Sequence, residues 1–93
     1  MGKFRIILSP RAARDLDDFS DAVYEKIVLA LRVLGENPFP RGKLVKKIKG
    51  KNSDYYRLRT DKYRIFYRIE SNDVVVLAVL SKKNAERFIR NMF

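Results

Sequence analysis

The sequence predicts an α+β fold: an N-terminal strand, a helical hairpin, a three- to four-stranded antiparallel sheet and a short C-terminal helix. Apolar residues recur at helical spacing over residues 10–34, and strand-like alternation or apolar runs follow up to residue 80. A length of 93 residues suits one hydrophobic core and leaves no room for a second. We therefore expect residues 1–93 to form a single domain.

The N-terminal segment predicts a strand followed by a short helix. In KFRIIL, alternate residues are apolar, as in a strand with one buried side. Ser9 is suited to cap a helix and Pro10 to occupy its first position, so we expect this helix to run to about Phe19.

A second helix and the sheet strands follow. Ser20 can cap this helix and Gly35 ends it, and the two helices form a hairpin. Its apolar residues lie on one side: Val23, Ile27, Ala30, Leu31 and Leu34. The segments KLVKKIK, YYRLR, KYRIFYRIE and VVVLAVL predict strands, and TDK and SND are short enough for hairpin turns. SKKNAERFIRNMF predicts the C-terminal helix.

Composition excludes several kinds of chemistry. The chain has neither cysteine nor histidine, which excludes disulfides, thiol and imidazole catalysis and nearly every transition-metal site. The carboxylates are scattered, so we expect no metal and no cofactor. The apolar stretch before Ser9 is too short for a signal peptide or a membrane span, so we expect a cytoplasmic protein.

The positive charge is concentrated in one part of the chain. Residues 41–68 hold eleven Lys or Arg and two Asp, which accounts for +9 of the net charge of +10. Such a local field attracts polyanions. The candidate partners are nucleic acid, an anionic membrane surface or an acidic protein.

The two central strands carry the most specific feature. Because side chains alternate along a strand, Arg57 and Arg59 share one side, and so do Arg64 and Arg68. We expect these four arginines to gather on one open sheet face with almost no facing carboxylate. Like charges opposed in a sheet are destabilising, which favours an anion-binding role over mere solubility.

Aromatic and lysine side chains extend this surface. Tyr55 and Phe66 lie on the arginine side and could stack on bases. The lysines upstream could follow a phosphate backbone, although lysines also protect an edge strand. The lysines that we assign to phosphate binding, together with Arg59 and Arg68, are Lys47, Lys49, Lys51 and Lys83.

The segment KKIKGKNSDYYRLRTDKYRIFYRIESNDVVVLAVLSKK resembles the RelE/ParE superfamily of toxins from type II toxin-antitoxin systems, closest to the RelE branch. The resemblance covers nearly the whole chain and implies the same order of elements. RelE toxins cleave mRNA in the ribosomal A site, whereas ParE toxins inhibit DNA gyrase. The RelE reaction uses the RNA 2′-hydroxyl as nucleophile and requires no metal.

The resemblance also implies roles for individual residues. The arginine of the family's YR step falls on Arg64, a phosphate binder. The family's pair of basic residues in the preceding strand falls on Tyr55 and Arg57, and Arg59 could substitute for the missing one. The basic residue after the last strand falls on Lys82. We therefore expect Arg57, Arg64, Lys82 and Tyr55 to be catalytic, with Tyr55 as a possible base.

Three positions depart from the family pattern and leave the activity open. Tyr55 replaces a basic residue, Phe88 replaces a tyrosine, and Ser81 stands where several relatives have histidine. The alternatives are a ribosome-dependent mRNA endonuclease, a gyrase inhibitor of the ParE kind, and a weakened RelE homologue that only binds its antitoxin. A double-stranded RNA-binding domain is a further alternative outside the family, but the N-terminal strand and second helix are surplus to it.

The resemblance implies partners as well. These are an acidic antitoxin and either the ribosome with its mRNA or DNA gyrase, and we expect no membrane partner. Operator DNA would be contacted through the antitoxin complex.

Overall fold

The computed structural model describes residues 3–50 and 53–92. Its elements are β1 (Arg5–Leu8), α1 (Pro10–Asp17), α2 (Asp21–Glu36), β2 (Val45–Lys49), β3 (Asp54–Thr60), β4 (Tyr63–Glu70), β5 (Asp73–Ser81) and α3 (Lys82–Met92). This confirms the predicted α+β fold, including the helical hairpin and four antiparallel strands. None of the helices among these residues is long and apolar enough to cross a membrane.

The N-terminal strand enlarges the predicted sheet. The five strands lie in the order β1-β5-β4-β3-β2, and β1 pairs with β5 in parallel. The sheet is therefore mixed, with β5 and β4 near its centre. This pairing joins residues almost 70 positions apart, so nothing in the local pattern of either strand predicts it.

The main core lies between the helical hairpin and one face of the sheet. Ser9 and Ser20 cap α1 and α2 as predicted, since their side chains accept hydrogen bonds from the backbone N–H groups of Ala12 and Val23. The buried side chains come from both layers: Ala12, Leu16, Ile27, Leu34, Leu58, Ile65, Tyr67, Val74 and Val76. Tyr67 keeps its hydroxyl satisfied inside this core by donating to the carbonyl oxygen of Pro38 at 2.7 Å.

A β-bulge in β5 is anchored by α1. The β4 partners of β5 change from Phe66 opposite Ala78 to Tyr67 opposite Val76, which leaves Leu77 as the additional residue. Pairing with β1 has already ended at Val76. The Ser9 hydroxyl donates to the Leu77 carbonyl at 3.0 Å. On the far side of the bulge, the Asp15 carboxylate accepts from the Val79 N–H at 2.9 Å.

The C-terminal helix packs on the opposite face of the sheet. Its residues Ala85, Phe88 and Ile89 pack with Phe66 and Leu80 in a second, smaller core. The expectation of a fully open arginine face is therefore wrong at this end of the sheet. Phe66 is buried, and its ring centroid lies 4.9 Å from that of Phe88, so it is not exposed for the stacking of a base.

Candidate functional site: a basic cleft beside α3

A cleft of about 280 Å³ lies between the sheet and the first turns of α3. We call it the basic cleft. Its lining residues are Arg57, Arg59, Arg64, Phe66, Lys82, Ala85, Glu86 and Ile89. Four of these eight side chains are basic and one is acidic, so the cleft suits an anionic ligand.

Strand register brings the three arginines together. On β3, Arg57 and Arg59 are two residues apart and therefore point to the same side. Arg59 lies directly opposite Arg64 of β4, and Arg57 lies opposite Phe66. Two like charges thus face each other across neighbouring strands, an arrangement that destabilises a sheet.

The start of α3 adds the fourth basic side chain. β5 ends at Ser81, whose hydroxyl accepts a hydrogen bond from the Asn84 N–H at 3.3 Å. The Lys82 N–H donates to the Lys62 carbonyl at 2.9 Å, which ties the helix to the β3–β4 hairpin. These contacts hold Lys82 at the rim, next to arginines that precede it by about twenty residues.

Arg64 forms the buried wall of the cleft. Arg64 is only 7% exposed, and its Nη1 donates to the carbonyl oxygens of Tyr63 at 2.9 Å and Asp61 at 3.3 Å. Burial, and secondarily the positive charge of Arg59, lower the pKa of Arg64. Backbone carbonyls hold this guanidinium in place without neutralising its charge.

Arg57 also carries a charge that no ion pair with a described residue neutralises. Its Nη2 donates to the Lys43 carbonyl at 3.3 Å, while its Nε is buried without a hydrogen-bond partner among the described residues. Burial lowers the pKa of Arg57, and the charges of Arg64 and Arg59 lower it further. An unsatisfied buried donor is costly, and an anionic oxygen in the cleft would reduce that cost.

The acidic residue of the cleft is one that the sequence reasoning missed. Glu86 lies four residues after Lys82 on α3, a spacing that places two side chains on one side of a helix. That spacing was the available signal, but only the packing of α3 shows which side faces the sheet. In the described ranges 3–50 and 53–92, no group of three or more acidic side chains is placed to hold a metal ion.

Other predicted site residues lie outside the cleft. Tyr55 and Arg68 share the sheet face with Arg57, but neither lines the cleft. Arg68 is four residues along β4 from Arg64, and its Nε lies 2.9 Å from a carboxylate oxygen of Glu70. Lys83 is exposed on α3 and does not line the cleft either.

The predicted lysines of β2 lie on the opposite face of the sheet. Lys47 is paired in register with Tyr56, which packs against the main core, and its ammonium group lies 3.0 Å from Asp54. Lys49 shares that face by alternation, whereas Lys51 lies outside the described residues. The structure instead places Lys46 opposite Arg57, on the arginine face, which the sequence reasoning did not single out.

Ser81 and Phe88, which also differ from the family pattern, do not line the cleft. Ser81 caps α3, as described above. The Phe88 ring packs against Phe66 and lies 5.0 Å beneath the guanidinium of Arg11, on the side of α3 away from the arginine cluster.

A family model of the ParE toxin of the type II toxin-antitoxin system parDE matches residues 6–86. The chain is a ParE-family toxin. The resemblance to the RelE/ParE superfamily is thereby confirmed. The toxin is also 28% identical over 83 residues to the RelE1 protein of Methanocaldococcus jannaschii, covering 87% of this chain and 91% of that protein.

Solved structures show the same fold. RelE in the RelE-RelB complex of Pyrococcus horikoshii is 24% identical to the toxin, with a TM-score of 0.73 over 86% of this chain and 96% of that one. The RelBE2 toxin-antitoxin complex of Mycobacterium tuberculosis has a TM-score of 0.73 at 23% identity, covering 86% and 99%. The YoeB dimer of Staphylococcus aureus has a TM-score of 0.69 at 24% identity, covering 84% and 95%.

Proposed function

We propose that the toxin is a metal-independent endonuclease that cleaves mRNA on the ribosome. The observation that carries this proposal is the convergence of Arg57, Arg59, Arg64 and Lys82 around one cleft. Their charges are not neutralised by ion pairs with the residues that the structure describes. The resemblance to RelE toxins, and the likeness to the RelE1 protein, support an RNA substrate.

The cleft suits cleavage by the RNA 2′-hydroxyl. In that reaction O2′ attacks the adjacent phosphorus, the P–O5′ bond breaks, and the products are a 2′,3′-cyclic phosphate and a 5′-hydroxyl. Negative charge grows on the phosphorane-like transition state, and donors held in advance stabilise it most effectively. Arg64 and Arg57 are held by backbone carbonyls and supply such donors. Lys82, at the exposed rim, can protonate the leaving O5′.

The arginines of the cleft also suit an acidic protein partner. The solved neighbours include complexes of RelE with RelB and of YoeB with YefM. We infer that this toxin likewise has an acidic antitoxin that covers the positive surface, and that the pair meets operator DNA through the antitoxin. Action on ribosomes would place the toxin in the cytoplasm.

The first test is primer extension on mRNA from cells that briefly express the toxin. We expect cuts within codons for the wild-type chain and none for Arg64→Ala or Arg64→Met, the second of which preserves most of the buried volume. Arg32→Ala is the matched control, because it removes the same charge from the exposed surface of α2. Circular dichroism establishes that each variant is folded. A folded Arg64→Met protein that still cuts mRNA would refute the proposed role of the cleft.

A gyrase inhibitor is the second candidate. It is favoured by the matched family model, which is that of ParE toxins, and by the lack of a hydroxyl at Phe88. Growth arrest with intact mRNA, together with inhibition of supercoiling by purified gyrase, would support it. A protein that binds its antitoxin but causes no arrest would be the weakened RelE homologue.

A further inference from the structure

Glu86 is the acidic side chain in a cleft that is also lined by four cationic side chains. It is the one carboxylate among the eight lining residues, and it forms no ion pair with any residue that the structure describes. An acid that only balanced the arginines would be expected to pair with one of them. Its carboxylate oxygens are therefore available to a ligand.

The fold holds this carboxylate in the cleft together with Lys82. Both belong to the first two turns of α3, four residues apart, and both line the cleft. The beginning of the helix is anchored by the Ser81 cap and by the Lys82–Lys62 backbone hydrogen bond. Ala85 and Ile89 pack the same side against the sheet. Glu86 therefore remains in the lining of the cleft as long as α3 stays docked.

We propose that Glu86 is the general base of the cleft, which takes the proton from the 2′-hydroxyl of the RNA. The proposal rests on the nuclease activity proposed above. The carboxylate accepts the proton as O2′ bonds to phosphorus, while Lys82 donates a proton to O5′ as the P–O5′ bond breaks. Product release and proton exchange with water return both groups to their starting states, so no metal or other reactant is consumed.

The alternative base is Tyr55. It lies on the same sheet face but does not line the cleft, whereas Glu86 does. A phenol must also first lose its own proton before it can accept one, a step that a carboxylate base does not need.

The test separates the base from the acid by changing the leaving group. Ribosomes are programmed with an mRNA that carries either an ordinary phosphodiester or a 5′-phosphorothiolate linkage at the cut position. A sulfur leaving group departs without protonation, so it restores cleavage to a variant that lacks the acid but not to one that lacks the base. Single-turnover cleavage is measured for the wild-type protein, Glu86→Gln, Lys82→Ala, and Glu25→Gln as a surface-charge control on α2.

We expect Glu86→Gln to cleave about 10² to 10⁴ times more slowly than the wild-type protein on both linkages, the usual effect of a lost general base. Its affinity for the programmed ribosome should be equal or higher, because a negative charge has been removed from a cationic cleft. Lys82→Ala should be slow on the ordinary linkage and restored by sulfur. Glu25→Gln should be unchanged.

Two results would overturn the assignment while leaving the nuclease proposal intact. In the first, the wild-type protein cleaves the RNA and Glu86→Gln cleaves it at more than a third of the wild-type rate. In the second, the sulfur leaving group restores the cleavage rate of Glu86→Gln to the same extent as that of Lys82→Ala. A wild-type protein that leaves both RNAs intact would instead overturn the nuclease proposal, and this assignment with it.

Discussion

Replacing Arg59 with glutamine should make the toxin more stable while making it less active. Arg59 faces Arg64 across β3 and β4, and neither guanidinium has an ion-pair partner among the described residues. Glutamine keeps the aliphatic stem and a polar end, so the substitution removes mainly the charge. The cost of two opposed like charges then disappears, and the cleft loses one of the cationic groups that we propose bind phosphate.

The expected gain in stability follows from the pairing of Arg59 with Arg64 across β3 and β4. Directly opposite residues of antiparallel strands have Cβ atoms about 5 Å apart. Two unit charges at that separation repel by about 0.8 kcal/mol in water and about 3 kcal/mol at an effective dielectric constant of 20. Arg64 is buried but Arg59 is exposed, and the two long side chains can move apart. The repulsion energy therefore lies near the value for water. We expect Arg59→Gln to raise the free energy of unfolding by about 1 kcal/mol at low salt.

Urea unfolding at about 20 mM and about 500 mM salt measures this effect, because salt screens exposed charges over a Debye length of about 20 Å and about 4 Å respectively. Arg68→Gln is the matched control: it removes the same charge from the same sheet face, but from a side chain that is paired with Glu70. It should be neutral or slightly destabilising at low salt. An Arg59→Gln protein that is no more stable than wild type at low salt, or whose gain does not shrink at high salt, would refute the reasoning.

Three further predictions concern the core and the bulge. Tyr67→Phe leaves the Pro38 carbonyl without its 2.7 Å hydrogen bond and should lower the free energy of unfolding by about 1–3 kcal/mol in a urea titration; a loss under about 0.5 kcal/mol would contradict this. Burial raises the pKa of Tyr67, so above about pH 10 the unfolded state releases a proton that the folded state keeps. The wild-type protein should therefore lose stability as pH rises, and its advantage over Tyr67→Phe should narrow between about pH 9 and 11; a constant difference would exclude the effect. Ser9→Ala removes the cap on the Ala12 N–H and the bond to the Leu77 carbonyl, and should cost about 1–2 kcal/mol with faster hydrogen exchange at Ala12, whereas Ser9→Thr, which keeps the hydroxyl, should cost less.

Local pattern was sufficient to predict the elements and the sides on which their residues lie. The alternation in KYRIFYRIE places Arg64 and Phe66 on one side of β4 and Ile65 and Tyr67 on the other, and the structure confirms both assignments. The caps at Ser9 and Ser20 were likewise visible, because a cap depends on residues three positions apart.

The composition of the site depended on contacts that local pattern does not encode. Alternation showed that Arg57, Arg59 and Arg64 share a face of the sheet. The same rule placed Arg68 on that face as well, although Arg68 does not line the cleft. Only the position of α3 decides which of these arginines line the cleft. The run of lysines in β2 was interpreted from its charge, whereas the register with β3 decides that Lys47 lies on the opposite face.

The sequence by itself determined that this protein is a small α+β domain with a concentrated positive charge and a RelE/ParE resemblance. Those properties are carried by residue types and by spacings of two to four, which act within a single strand or helix turn. Only the tertiary structure decided that β1 pairs in parallel with β5, that α3 covers part of the arginine face, and that Glu86 lines the same cleft as Arg64. These outcomes depend on how elements far apart in the chain bury their apolar sides together, and that packing is a property of the whole domain.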